Sequence, residues 1–275
     1  MADLHARHAP HIVVESHGIT DVGLHRSRNE DCLLMDDGLG LYVVADGMGG
    51  HQAGEVAAQL AVRTIHQHML HMQAAESAAS GPDSQRDPSL SVAANEVRTA
   101  ILAANRAVLA RAQDSPELQG MGTTVAVVYL RGNVLVAANV GDSPIYLLRG
   151  GVLRELSVAH TVATEQAALG RRLPESLREK LGHMLTRAVG TREVVTPDFF
   201  ETFPRHNDVL LLCSDGLAGT VRREELQNVL LRHTPRRACE ALLALALARG
   251  GEDNITCLAV RLQVQERGGI RSGAA

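Results

Sequence analysis

The sequence predicts an α+β fold, and three observations carry that prediction. Two apolar runs, Leu41–Ala45 and Asp208–Cys213, have the composition of short buried strands, and each delivers a carboxylate straight into glycine. Two long stretches, Gly54–Met72 and Leu90–Gln113, repeat apolar residues at helical spacing. Residues 122–156 then break into four short strands joined by turn residues, which reads as an antiparallel meander. Helices grouped before and after such strands, rather than alternating with them, belong to the α+β class.

Composition narrows the function classes. The 275 residues can bury one large core or two small ones, and with only 2% aromatic residues that core must be built from Leu, Val, Ile and Ala. The formal net charge of -4 comes with no basic stripe interleaved with aromatics, so nucleic acid is not the expected partner. No apolar run approaches the ~20 residues that span a bilayer, and the start, MADLHARHAPH, lacks a signal-peptide core. Cys32, Cys213, Cys239 and Cys257 show no paired metal spacing and read as free thiols of a cytoplasmic protein.

In chain order, residues 1–11 read as a disordered tail, with His11–Thr20 opening the first strand. The connection GLHRSRNEDCLLMDD carries Arg26, Arg28, Glu30 and Asp31, either a solvated loop or an anion-binding arginine beside cation-binding acids. On the first helix, the offsets of His66, His68 and His71 do not place all three on one face, so no histidine metal site is expected. Residues 74–89 are small and polar and read as a mobile loop. The meander strands are Gly122–Leu130, Asn133–Val140, Pro144–Leu148 and Val152–Leu156, with hairpin turns at Arg131-Gly132-Asn133 and Arg149-Gly150-Gly151. Residues 157–190 hold short helical pieces, a surface flap. Thr196–Phe203 and Ile255–Leu262 are strands, Arg222–Arg232 and Pro235–Arg249 are helices, and 263–275 is a polar tail.

Four times a carboxylate stands at a strand end beside glycine or its close neighbour: Asp46, Asp142, Asp215 and Asp253. One such aspartate is an ordinary turn residue. Several gathered at one end of a fold, with Glu30 and Asp31, repel one another unless cations lie between them. Oxygen-only ligands suit Mg²⁺ or Mn²⁺ rather than zinc. Two such ions about 4 Å apart activate a shared water and steady a phosphoryl transition state.

The segments GLHRSRNED, VVADGMGGHQAGEVA, GMGTTVAVVYL, ANVGDSPIYLLRGG, LLLCSDGL and GGEDNIT resemble, in sequence order, the PP2C (PPM-type) metal-dependent protein phosphatases, above all the bacterial serine/threonine enzymes. The resemblance covers roughly residues 12–262 as one phosphatase domain. It implies a four-layer α-β-β-α sandwich: two central antiparallel sheets flanked by helix pairs, with metals in a cleft at one end. Carried over by position, Asp46 bridges two metals, with the Gly47 carbonyl on one and Asp215 and Asp253 on the other. Glu30 and Asp31 match acids that act on the cluster directly or through water, and Arg26 matches the arginine that grips the substrate phosphate. A metal-bridging hydroxide then attacks phosphorus in line.

This sequence departs from that pattern twice. Met48 stands where many eukaryotic relatives carry a histidine that protonates the leaving group. Gly219 stands where relatives place an aspartate which, with Asp142 and Asp215, binds a third metal, so that site is in doubt here. The resemblance implies a monomeric, cytoplasmic phosphoserine/phosphothreonine phosphatase using Mn²⁺ or Mg²⁺, with phosphoproteins as substrates and a serine/threonine kinase as the activity it opposes. Two alternatives remain at this point: a non-catalytic phosphoprotein-binding module, and a hydrolase of small phosphoesters.

Overall fold

The computed structural model describes residues 11–49, 53–76 and 86–265. The tails outside 11–265, Gly50–Gln52 and the centre of the expected 74–89 loop lie outside the described residues.

Among the described residues, eleven strands form two antiparallel sheets. The first contains β2 (Asp31–Asp36), β3 (Leu41–Met48), β5 (Val125–Arg131), β6 (Val134–Val140) and β9 (Asp198–Thr202) in the order β2-β3-β5-β6-β9, with β4 (Gly122–Thr123) on the end of β3. The second contains β1 (His11–Asp21), β7 (Ile145–Arg149), β8 (Val152–Glu155), β10 (Val209–Cys213) and β11 (Ile255–Gln265) in the order β1-β11-β10-β7-β8. Helices α1 (Ala53–Glu76) and α2 (Val92–Asp114) pack on each other and cover the first sheet. Helices α6 (Arg223–Arg232) and α7 (Pro235–Ala248) cover the second, and the short α5 (Asp215–Ala218) follows β10. Two more short helices, α3 (Val162–Ala168) and α4 (Glu175–Gly182), lie in the flap.

The layers follow from side-chain alternation along each strand. In β3, Leu41, Val43 and Ala45 face α1 and α2, while Tyr42 and Val44 face the other sheet. Against them stand Leu210, Leu212, Leu258 and Val260 from β10 and β11, so the inter-sheet core is almost wholly aliphatic, as the composition requires. Leu211, Cys213, Cys257 and Ala259 turn the other way, onto Leu242 and Ala246 of α7.

The boundaries moved for local reasons. The Ser91 hydroxyl accepts from the Ala94 N–H at 3.1 Å and caps α2, which leaves Leu90 outside the helix. Helix α1 continues past Met72 to Glu76, and β11 continues to Gln265 because its last residues pair with the start of β1.

The single meander expected over 122–156 is not what forms. The β5–β6 and β7–β8 hairpins are present, but they belong to different sheets. The chain crosses between them at Gly141-Asp142-Ser143, where Gly141 takes φ +101°. A Cβ there would stand 2.6 Å from the Thr124 methyl, so glycine is required twice over.

Candidate active site

One end of the sandwich collects the strand-end acids. Asp46, in β3, is the register partner of Asp31 in β2. Asp142 sits in the crossover after β6, Asp215 opens α5 directly after β10, and Asp253 precedes β11. Strand topology, not sequence proximity, brings them together.

Their electrostatics are those of crowded, buried carboxylates. Burial pushes Asp31 up to about 6, with Asp215 and Asp253 adding to it against hydroxyl hydrogen bonds. Burial raises Asp142 to about 6 as well, with Asp215 as its main like-charged neighbour. Asp46 is held well above the usual carboxylate range by burial and by Asp31, Asp215 and Asp142. Burial raises Asp215 as well, with Asp253 as its first like-charged neighbour. Ser214 Oγ donates to Asp31 Oδ2 at 2.7 Å, whereas Asp31 Oδ1 is buried with no partner.

The surrounding backbone is built to hold this edge. The Asp46 carbonyl accepts from Thr124 N–H at 2.8 Å and from the Thr123 hydroxyl at 2.9 Å, and the Asp46 N–H donates to Thr124 Oγ1 at 3.0 Å. Gly47 N–H donates to the Glu30 carbonyl at 3.1 Å. A Cβ on Gly47 would overlap the Gly54 carbonyl and stand 2.6 Å from that of Glu30, so β3, the start of α1 and the Glu30 loop close on one another only through glycine.

Asn254 pins the same loop from the far end of the chain. Its Oδ1 accepts from Glu30 N–H at 2.8 Å, and its Nδ2 donates to the carbonyls of Arg28 at 2.8 Å and Val22 at 3.0 Å. Arg26, half exposed, reaches Asp253 Oδ2 at 2.8 Å. Glu30 is raised by burial, with Arg26 pulling against it.

The structure therefore assembles Arg26, Glu30, Asp31, Asp46, Gly47, Asp142, Asp215 and Asp253 at one edge. Among the described residues, no three His, Cys, Asp or Glu side chains stand as a ready-made ligand cage. A cation at this edge would draw on carbonyls and water as well as carboxylates, which is how Mg²⁺ is usually held. The donor set fits such an ion. It is all oxygen, one buried carboxylate oxygen is orphaned, and the like charges crowded around Asp46 lack a compensating cation among them.

Three residues important to this geometry have no role assigned from the sequence, although Thr124 and Asn254 lie within segments that carry the resemblance. Thr124 and Asn254 act through hydrogen bonds to distant backbone, and His183, exposed on the flap after α4, faces Asp215 Oδ2 at 4.0 Å. The α1 histidines make no cluster, since His66 meets Asp36 and His68 meets Thr99. Gly219 closes α5 with an ordinary φ of -72°, and its N–H donates to the Asp215 carbonyl at 2.7 Å. No turn requirement keeps glycine there.

Comparison with known proteins agrees with this picture. The family model for protein phosphatase 2C matches residues 27–246. The serine/threonine phosphatase stp of Listeria monocytogenes is 33% identical over 258 residues, covering 90% of this chain and 96% of that protein. The crystal structure of the Mycobacterium tuberculosis serine/threonine phosphatase PstP superposes with a TM-score of 0.77 at 32% identity, covering 91% of this chain and 99% of that one. A second PstP structure, of the catalytic domain in complex with two manganese ions, has a TM-score of 0.75 at 32% identity, covering 92% of this chain and all of that one.

Proposed function

The chain belongs to the protein phosphatase 2C family, the metal-dependent protein phosphatases, and from that premise we propose that it hydrolyses phosphoserine and phosphothreonine on proteins. The observation that carries the proposal is the convergence of Asp31, Asp46, Asp142, Asp215 and Asp253 beside Arg26 at one end of the sandwich. Asp46, Asp215, Asp253 and the Gly47 carbonyl hold two Mn²⁺ or Mg²⁺ ions, with Glu30 and Asp31 acting on them directly or through water. When bound, these ions supply an activated water and neutralise charge on the phosphoryl group. The protein's part is positional: the carboxylates fix where the cations lie, and Arg26 orients the phosphate for in-line attack.

The proposed setting is the cytoplasm, as a monomer opposing a serine/threonine kinase. The four cysteines are free, and no helix among the described residues is long and apolar enough to cross a membrane. Assay of phosphothreonine peptides beside small phosphate esters, with and without Mn²⁺, tests the reading. Metal-dependent peptide turnover supports it, and metal-independent turnover or no turnover overturns it.

Arg26 gives a sharper check. Arg26→Ala is expected to lower kcat/KM by about 10- to 100-fold, the scale of a charge-assisted hydrogen bond. Arg28, the weakest of the charges acting on Glu30, should change it by less than about three-fold when replaced by Ala. Equal losses at both positions would show that Arg26 does not grip the phosphate.

The third-metal question is open to the same treatment. Asp142 and Asp215 are too few to hold a further cation tightly, since affinity rises with the number of charged ligands. A side chain at position 219 lies one helical turn from Asp215 on the same face, and a Cβ there meets only the Asp215 carbonyl, at 3.1 Å. Gly219→Asp is expected to fold, to unfold a few degrees earlier without metal, and to respond more steeply to Mn²⁺. A Mn²⁺ titration identical to wild type would remove the third-site argument.

A further inference from the structure

The crossover that carries Asp142 is gripped from outside the acid cluster by a buried histidine. His160 is 2% exposed and lies where the flap leaves the sandwich. It binds one peptide twice. Its main-chain N–H donates to the Gly141 carbonyl at 2.9 Å, and the Gly141 N–H donates to its ring Nδ1 at 3.1 Å. An accepting Nδ1 puts the ring proton on Nε2. Nε2 faces two groups at 3.1 Å, Asp198 Oδ2 and Arg187 Nη1. The two hydrogens of Arg187 Nη1 have acceptors elsewhere, the other Asp198 oxygen at 2.9 Å and the Thr196 carbonyl at 3.3 Å, which leaves Oδ2 to accept the Nε2 proton. Burial lowers the ring's proton affinity, which favours the neutral form that such a bond needs.

Both ends of the flap meet on this residue. The His160 carbonyl accepts from Thr186 N–H at 2.9 Å, and the neighbouring Thr161 bridges to Leu185. On the other side, Ser143 Oγ and Thr124 Oγ1 lie 2.7 Å apart, and Thr124 Oγ1 accepts from the Asp46 N–H. Asp142 is thus the middle residue of a turn held at Gly141 by the flap base and at Ser143 by Thr124, which also binds the Asp46 main chain.

We propose that His160 is a positioning residue: its Nε2-protonated imidazole, oriented by Asp198, fixes the Gly141 peptide, aims the Asp142 carboxylate and ties the flap to the cation-binding edge. The part of this that concerns cations rests on the phosphatase reading, and the clamp itself does not. A histidine that merely fills space would cost stability on removal and nothing more. A clamp has further consequences, because partners that orient metal-binding groups typically matter by about 10- to 100-fold in metal affinity.

The ¹⁵N spectrum of the wild-type imidazole tests the tautomer directly, and a proton on Nδ1 overturns the proposal. In His160→Ala, hydrogen exchange at the Gly141 amide should accelerate by about ten-fold or more, because a protecting bond is lost. Because the same turn is tied through Ser143 and Thr124 to the Asp46 main chain, calorimetric Mn²⁺ affinity and the Mn²⁺ concentration for half-maximal activity should each worsen by about ten-fold, with peptide KM within about two-fold. In His160→Asn, the amide oxygen takes the place of Nδ1 and should restore all three readouts to within about three-fold of wild type. An alanine variant that only melts earlier, or an asparagine variant no better than alanine, overturns the assignment. Absence of phosphatase activity in the wild type would strike the proposed function instead, leaving tautomer and amide exchange to decide the clamp.

Discussion

Replacing Asp46 by Asn is expected to lower kcat/KM for a phosphothreonine peptide by roughly 10³-fold or more, the scale of losing a principal electrostatic element of a site. The same variant should be more heat-stable than wild type when both are stripped of metal at pH 8. Asp46 is the carboxyl most burdened by its neighbours, and an amide there relieves burial and repulsion together. The pH dependence has a definite sign. Asp31 and Asp142 titrate near 6 in the folded protein, above the ordinary 3.8, so the unfolded chain gives up those protons first. Stability of the metal-free protein should therefore fall as pH rises from about 4 through about 6, by on the order of 3 kcal/mol per group, then level off. Added Mn²⁺ should raise Tm more at pH 8 than at pH 5. A metal-free wild type that gains stability over that range would contradict the crowded-carboxylate description, and an Asp46→Asn variant with near-normal turnover would end the two-cation assignment.

Gly47→Ala should be nearly as damaging by a wholly different route. The added methyl meets main-chain atoms on two sides, the Gly54 carbonyl and the Glu30 carbonyl, and neither can rotate away as a side chain would. Parting β3 from the start of α1 should cost about 2–4 kcal/mol, the upper range for overpacking, or a Tm lower by about 10 °C. Loss of Mn²⁺ binding should accompany it, since the Glu30 loop and the Gly47 carbonyl move together. Gly182→Ala is the control. It lies at the end of α4 with open space around it, and alanine should be neutral or slightly stabilising there. Equal melting temperatures for the two variants would show that the close approach at Gly47 is not a constraint.

Legibility from sequence followed the range of each interaction. Strand β3 was readable because five apolar residues run unbroken into Asp-Gly, and α7 because its apolar spacing is helical throughout. The acids were readable because each stands at a strand end, a local signature repeated four times. The crossover at Gly141 was not, since nothing in Val-Gly-Asp-Ser-Pro distinguishes a hairpin turn from a left-handed residue that sends the chain to the other sheet. Asn254 was passed over for a related reason. An asparagine after aspartate resembles any turn, and its bonds to Val22, Arg28 and Glu30 span more than 220 residues. His160 is hidden likewise, its role depending on a flap whose two ends meet only in the folded protein.

Strand β11 lies between β1 and β10, and among the described residues β1 has no other neighbour in its sheet. Paired end to end from His11 with Gln265 to Asp21 with Ile255, β1 is made about 230 residues before the strand it pairs with. During synthesis it must therefore wait, unpaired, while nearly all of the intervening chain emerges from the ribosome. Closure of this sheet is a late, non-local event, of the kind that places β-rich domains in the millisecond-to-second range of folding. Asp253 arrives on the same final segment, so the nascent chain holds an incomplete set of acids until then. Until β11 emerges, the nascent chain exposes an unpartnered strand edge and lacks a complete acid cluster, and the arrival of β11 remedies both at once.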